Sequence, residues 1–123
     1  MPFDAERYAA GLRRLNRREE EEIRSRADEA RKVAENLAQR IGSTDPKVER
    51  VYLFGSLLQP SPRSRAFDID LAIDGGDIDT AVALTEEPPF SDWPVDIVNL
   101  RRLPDHITKR ISATGAVLYR RSH

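Results

Sequence analysis

The first third of the chain carries apolar residues at steps of three and four. From about Asp4 to Ile41 it contains no proline and one glycine, and it is rich in Ala, Leu, Glu and Arg, which favour helix. The apolar positions fall on one stripe: Tyr8, Leu12, Leu15, Ile23, Ala27, Ala30, Ala34, Leu37 and Ile41. This spacing predicts a long helix with one apolar face.

The stripe has a gap between Leu15 and Ile23, which is filled by a run of arginines and glutamates. A continuous helix would reach roughly 55 Å at 1.5 Å per residue. That is longer than the rest of a domain of this size is wide. We therefore expect either a break near Asn16 or a helix with one end that projects and packs on a partner.

The rest of the chain carries shorter apolar segments separated by turn residues. Gly42 and the Ser-Thr-Asp-Pro that follows it predict a helix stop and a turn, and the prolines and serines of residues 59–65 predict a loop. We expect strands over Val48–Phe54, from Asp68 to Ile73, over Val95–Leu100 and over Ala116–Tyr119, and helices over Thr80–Glu86 and about Pro104–Thr114.

Two carboxylates share one side of the second strand. Because alternate strand residues share a face, Phe67, Ile69, Leu71 and Ile73 should point one way, and Asp68 and Asp70 the other. Two neighbouring like charges repel each other, and a divalent cation between them is the strongest candidate to offset that repulsion.

A Gly-Ser turn ends the first strand. Gly55 and Ser56 follow the apolar Val-Tyr-Leu-Phe, and such a turn offers backbone N–H groups and a hydroxyl to an anion. Asp96 lies in the third strand and should face opposite to Val95 and Ile97. Together these features predict a metal–phosphate site.

Size and composition limit the classes of protein that fit. The chain has 123 residues, a formal net charge of −1 and no cysteine, so we expect a single domain without disulfides or thiolate metal sites. Within it, residues 1–42 would form a helical extension and 43–123 the core. Without a global basic charge, nucleic acid is an unlikely partner. No signal peptide or membrane-spanning run is visible, so we expect a soluble, cytoplasmic protein.

The order of these motifs resembles the minimal nucleotidyltransferases (MNT) of the DNA polymerase beta superfamily. The resemblance covers about Val48–Tyr119, including the closing stretch from Ile111. It implies an α+β, polymerase-beta-like fold: a small mixed sheet with helices on one face and the metal site at its edge, preceded here by a long N-terminal helix.

The resemblance also implies roles for the polar residues. Asp68, Asp70 and Asp96 would be the catalytic carboxylates and would hold two Mg²⁺ ions on ATP, the substrate. Gly55 and Ser56 would contact its phosphates.

The chain departs from the family after the Gly-Ser turn. The family usually has an arginine there, whereas this chain has Leu57 and Leu58. Arg63 or Arg65, of which we favour Arg65, would then supply the cation that faces the phosphates.

Three functions are consistent with these features. The resemblance favours Mg²⁺-dependent transfer of AMP to a hydroxyl of a partner toxin, as in the antitoxin half of HEPN–MNT toxin–antitoxin pairs, to whose MntA-type antitoxins the chain is similar. One alternative is transfer to a small molecule of the aminoglycoside type. The other is a non-catalytic antitoxin, or binding module, that uses the long helix as its interface. A homo-oligomer through that helix also stays open.

Overall fold

The computed structural model describes residues 4–58 and 68–122. The helices are α1 (Ala5–Thr44), α2 (Ile78–Thr85) and α3 (Asp105–Thr114), and the strands are β1 (Arg50–Phe54), β2 (Ile69–Asp74), β3 (Val95–Asn99) and β4 (Ala116–Arg120). Short 3-10 turns follow β1 (Gly55–Leu57), precede β3 (Phe90–Asp92) and follow β3 (Leu100–Arg102). The elements expected from the sequence are all present, with ends that differ by a few residues.

The four strands form one mixed sheet in the order β3-β2-β1-β4. β1 pairs antiparallel with both β2 and β4, and β2 pairs parallel with β3. β2 is therefore an inner strand whose backbone is hydrogen-bonded on both sides. This arrangement confirms the predicted α+β fold with a mixed sheet.

Each face of the sheet is covered by different helices. On one face Ile69, Leu71 and Ile73 of β2 are fully buried in the core that α1 and α2 complete. On the other face a smaller cluster joins Tyr52 and Ala72 to α3. The sequence analysis predicted helices on one face of the sheet, whereas α3 covers the other face. The reason is that β1 is apolar on both of its faces, so the second face of the sheet also has to be buried.

α1 is continuous over 40 residues, about 60 Å at 1.5 Å per residue. The alternative of a break near Asn16 is therefore wrong. The position of Gly42 suggested a helix stop, but α1 continues to Thr44. A Cβ at Gly42 would collide with the ring of Tyr119. The glycine instead allows β4 to pack closely against the last turns of α1.

The two halves of α1 differ in burial. The second half is buried against the sheet from Ala27 to Ile41. The first half projects, and its apolar side chains are exposed: Tyr8 by 59%, Leu12 by 43% and Leu15 by 56%. The division of the chain at residue 42 stays a prediction. Despite its length, α1 lacks the apolar stretch needed to cross a bilayer, and so does every other helix in the part of the chain described.

Side-chain hydrogen bonds connect the end of α1 to the segments that pack around it. The Arg121 side chain donates to the carbonyl oxygens of Gly42 (2.7 Å), Asp45 (3.0 Å) and Val48 (2.9 Å). The buried Asp45 carboxylate accepts from the N–H groups of Asp77 (2.8 Å) and Lys47 (3.0 Å). The Asp77 N–H, together with Lys47 and Arg121, holds the pKa of Asp45 below its usual value despite burial.

We expect Asp45→Asn to lower the free energy of unfolding at neutral pH by about 1–3 kcal/mol, because an amide cannot accept both N–H groups as the carboxylate does. Since the folded-state pKa of Asp45 is lowered, its contribution is complete above the unfolded value of about 3.9 and is lost as the pH falls through the folded value. Urea denaturation of both proteins from pH 7 to pH 3 measures this.

Glu35→Gln is the control for Asp45→Asn, because it makes the same change of charge on the exposed side of α1. Equal effects of the two substitutions, or a difference that grows in acid, would contradict this role for Asp45.

Candidate active site

The position of Asp70 follows from the burial of its neighbours in β2. Ile69 and Leu71 point into the core, so Asp70 between them lies on the opposite face, where it is partly buried. Asp68 directly precedes the strand and is exposed. The predicted alternation is confirmed for these residues, whereas Phe67 lies outside the described residues.

β3 places Asp96 beside Asp70. The two are register partners in the parallel pair of β2 and β3, and Asp96 is exposed. Burial first, and then the negative charges of Asp96 and Asp68, raise the pKa of Asp70 above its usual value. The structure therefore brings together the three carboxylates that the sequence singled out, and they repel one another.

Gly55 packs directly on the Asp70 carboxylate. Its φ is +80°, a conformation that glycine adopts readily and other residues rarely do. A Cβ at this position would overlap a carboxylate oxygen of Asp70. Glycine thus allows the end of β1 to turn next to the acidic group and presents Ser56, which is exposed, on the same turn.

The turn is fixed from the α1 side of the sheet. Leu57 is fully buried in the main core, and its carbonyl oxygen accepts hydrogen bonds from Nε (3.3 Å) and Nη2 (3.2 Å) of Arg31. Arg31 was not predicted as a site residue. Its contact spans 26 residues of sequence, and no local pattern indicates which helix arginine will reach a given turn.

A cleft opens beside Gly55. Its volume is about 670 Å³, and it lies between the end of β1 and α3. The lining residues are Phe54, Gly55, Leu58, Ile107, Arg110, Ile111 and Thr114. The sequence indicated no role for Arg110. Arg63 and Arg65, predicted to supply a cation here, lie outside the described residues.

The carboxylates suit a hard divalent cation by their chemistry. Such cations prefer oxygen ligands, and a positive charge beside Asp70 would offset the burial and the repulsion that raise its pKa. Within residues 4–58 and 68–122, however, no three acidic or histidine side chains are arranged to hold an ion on their own. Mg²⁺ in proteins usually completes its ligands with water and with substrate phosphates.

Other residues with chemical potential are engaged elsewhere. Asp74 pairs with Arg101 (3.0 Å) and Arg50 (3.5 Å). Trp93 packs against the α1 core, with the guanidinium of Arg26 4.4 Å from its ring centre. These contacts assign both residues a structural role, and Asp74 lies at the far end of β2 from Asp68.

Comparison with known proteins identifies what the fold and site resemble. The family model described as "Polymerase beta, Nucleotidyltransferase" matches residues 35–123. A solved structure of a mutant MntA-HpeT toxin-antitoxin is 26% identical, with a TM-score of 0.54, and the match covers 71% of this chain and 73% of that one. A solved toxin-antitoxin with AMP-PNP is 27% identical, with a TM-score of 0.55 and the same coverage. No curated protein matches significantly.

We expect Gly55→Ala to destabilise the protein by at least about 1–2 kcal/mol, since its backbone conformation alone costs this much with a side chain and the overlap with Asp70 adds to it. In an Asp70→Ala background the overlap is removed, so the cost of Gly55→Ala should fall. A double-mutant cycle by chemical denaturation measures the coupling.

Gly11→Ala is the control for Gly55→Ala, because nothing lies within 4 Å of a Cβ there. In the middle of a helix it should stabilise the protein by up to about 1 kcal/mol. A cost of Gly55→Ala that is the same with and without the Asp70 carboxylate would contradict the packing described.

We expect Asp70→Asn to raise the melting temperature of the metal-free protein at neutral pH, because it removes a charge that is partly buried and repelled by its neighbours. Since the folded-state pKa of Asp70 is raised, its ionisation destabilises the fold, and the gain should shrink as the pH falls through the folded value and be lost below the unfolded value of about 3.9. Thermal unfolding in the presence of a chelator measures this. A lower melting temperature at pH 7 would show that the carboxylate is favourable where it lies.

Proposed function

The chain belongs to the polymerase beta nucleotidyltransferase family, and we propose that it transfers AMP from ATP to a hydroxyl group of a partner toxin. The observation that carries this proposal is the cluster of Asp70, Asp96 and Gly55, in which two register-paired carboxylates lie beside a turn that approaches without a side chain. The repulsion between the carboxylates destabilises the fold, whereas their negative charge favours binding of a metal ion together with a triphosphate.

Asp68, Asp70 and Asp96 are the residues that would hold Mg²⁺, two ions by the resemblance. When bound, Mg²⁺ neutralises the triphosphate and lowers the pKa of an attacking hydroxyl. The chain supplies the remaining functions: Gly55 allows a phosphate to approach the backbone, and the exposed Ser56 hydroxyl can donate a hydrogen bond to it.

The reaction needs one base and one leaving group. The acceptor oxygen forms a bond to the α-phosphorus of ATP as the bond from that phosphorus to the bridging oxygen breaks, and pyrophosphate leaves. Asp96 is exposed beside Asp70 and is the carboxylate that we assign to accept the proton of the acceptor hydroxyl.

The toxin as acceptor rests on the two structural neighbours, which are toxin–antitoxin structures, one of them with AMP-PNP. We therefore propose that the acceptor hydroxyl is presented by a partner protein.

One observation favours a second candidate, a non-catalytic antitoxin. Leu57 is fully buried where the family usually has an arginine, so the turn itself presents no cation to a phosphate. Calorimetry with ATP and Mg²⁺ discriminates between the two functions: tight association with the toxin without any nucleotide binding would leave only the non-catalytic one.

We expect transfer of label from α-labelled ATP to the co-expressed toxin in the presence of Mg²⁺, and its loss with a chelator. Asp68→Asn and Asp70→Asn should each reduce the initial rate on the order of a hundredfold or more, because each removes a charge that would bind the metal. Labelling followed on gels over time measures these rates.

Asp79→Asn is the matched control for these substitutions, because it removes an exposed carboxylate from the first turn of α2 and should leave the rate unchanged. Label transfer that survives both site substitutions would exclude the proposed mechanism.

A further inference from the structure

Among the described residues, a single charged side chain lines the cleft beside Gly55. That side chain is Arg110, and Phe54, Leu58, Ile107 and Ile111 give the cleft apolar walls. Arg110 lies on the exposed side of α3. Apolar walls around one cation favour an anionic ligand with an apolar part, since a charge interaction is stronger where water is partly excluded.

The guanidinium of Arg110 is not used by the fold. Its backbone carbonyl accepts from the Thr114 hydroxyl at 2.7 Å, but within residues 4–58 and 68–122 its side chain makes no hydrogen bond or ion pair. Arg101, in the short turn that follows β3, shows the contrast, because it is paired with Asp74. Arg110 is thus available to a ligand without loss of an internal contact.

The cleft is continuous with the carboxylates. Gly55 lines the cleft on one side and touches the Asp70 carboxylate on the other. A triphosphate bound beside Asp70 and Gly55 would border the same cleft that α3 lines. At this cleft the turn offers no cation, since Leu57 is buried in the core and Leu58 forms part of the apolar wall.

We propose that Arg110 binds the polyphosphate of the nucleoside triphosphate, an inference that rests on the proposed function. Its planar guanidinium can donate two parallel N–H bonds to phosphate oxygens. The cation that the Gly-Ser turn lacks is then provided by α3, on the opposite wall of the cleft.

The test compares four variants with the wild-type protein, one of which, Arg65→Ala, removes the cation that the sequence analysis favoured. Arg110→Ala removes the cation, Arg110→Lys keeps the charge without the planar pair of donors, and Lys109→Ala removes a neighbouring exposed charge that does not line the cleft. The affinity for AMP-PNP with Mg²⁺ is measured by calorimetry and that for adenosine, which has no phosphate, by ligand-observed NMR.

We expect Arg110→Ala to weaken AMP-PNP binding by about tenfold to a hundredfold, the value of hydrogen bonds to a charged group, and to leave adenosine binding unchanged. Arg110→Lys should recover part of the loss, and Lys109→Ala should change affinity by less than about twofold. Circular dichroism should show the same fold for all variants, because the Arg110 side chain is exposed.

Two results would overturn the role of Arg110 while leaving the proposed function intact. One is AMP-PNP binding in Arg110→Ala that equals that in Lys109→Ala. The other is a loss confined to Arg65→Ala, which would place the phosphate cation in the loop before Asp68. A wild-type protein that binds no nucleotide with Mg²⁺ would overturn both the inference and the proposed function.

Discussion

The burial of β2 is the constraint on which the candidate site depends. Ile69, Leu71 and Ile73 are fully buried on one face, and the strand is hydrogen-bonded on both sides. A slip of one residue would turn these side chains out and carry Asp70 into the apolar core, which is prohibitively costly for a charge. The core thus fixes the direction of the Asp70 carboxylate, and the parallel register then fixes Asp96 beside it.

The site is assembled at a cost that the rest of the fold offsets. Burial and like charges raise the pKa of Asp70, and Gly55 is held at positive φ against the same carboxylate. The turn stays in place because Leu57 is buried and Arg31 bonds its carbonyl oxygen. Elsewhere in the fold, near the end of α1, the Asp45 carboxylate accepts from a backbone N–H group and the Arg121 side chain donates to a backbone carbonyl oxygen. Unfavourable charge at one place and fully paired polar groups elsewhere are typical of a functional site on a stable scaffold.

Local patterns predicted the elements and the strand alternation, because both depend on residues close in sequence. The alternation of Asp70 with apolar neighbours was enough to place it, and the unbroken α1 pattern was enough to predict a helix. Gly42 was misread, because a glycine that stops a helix and one that admits the Tyr119 ring look the same in sequence. Arg31 and Arg110 were missed because their places depend on packing across the sheet. The roles of the three carboxylates in metal binding and catalysis remain predictions.

The continuous helix α1 joins the predicted helical extension, residues 1–42, to the rest of the fold. The family model begins at residue 35, so most of α1 is an addition to the matched fold. Its first half exposes an apolar stripe, and Arg31 in its second half holds the turn after β1. Because a continuous helix is stiff over this length, a protein bound along the apolar stripe would be held at a fixed position relative to the turn after β1. Transfer to a partner's hydroxyl, as proposed, would need such a fixed arrangement, since a transfer reaction depends on the position of the attacking hydroxyl.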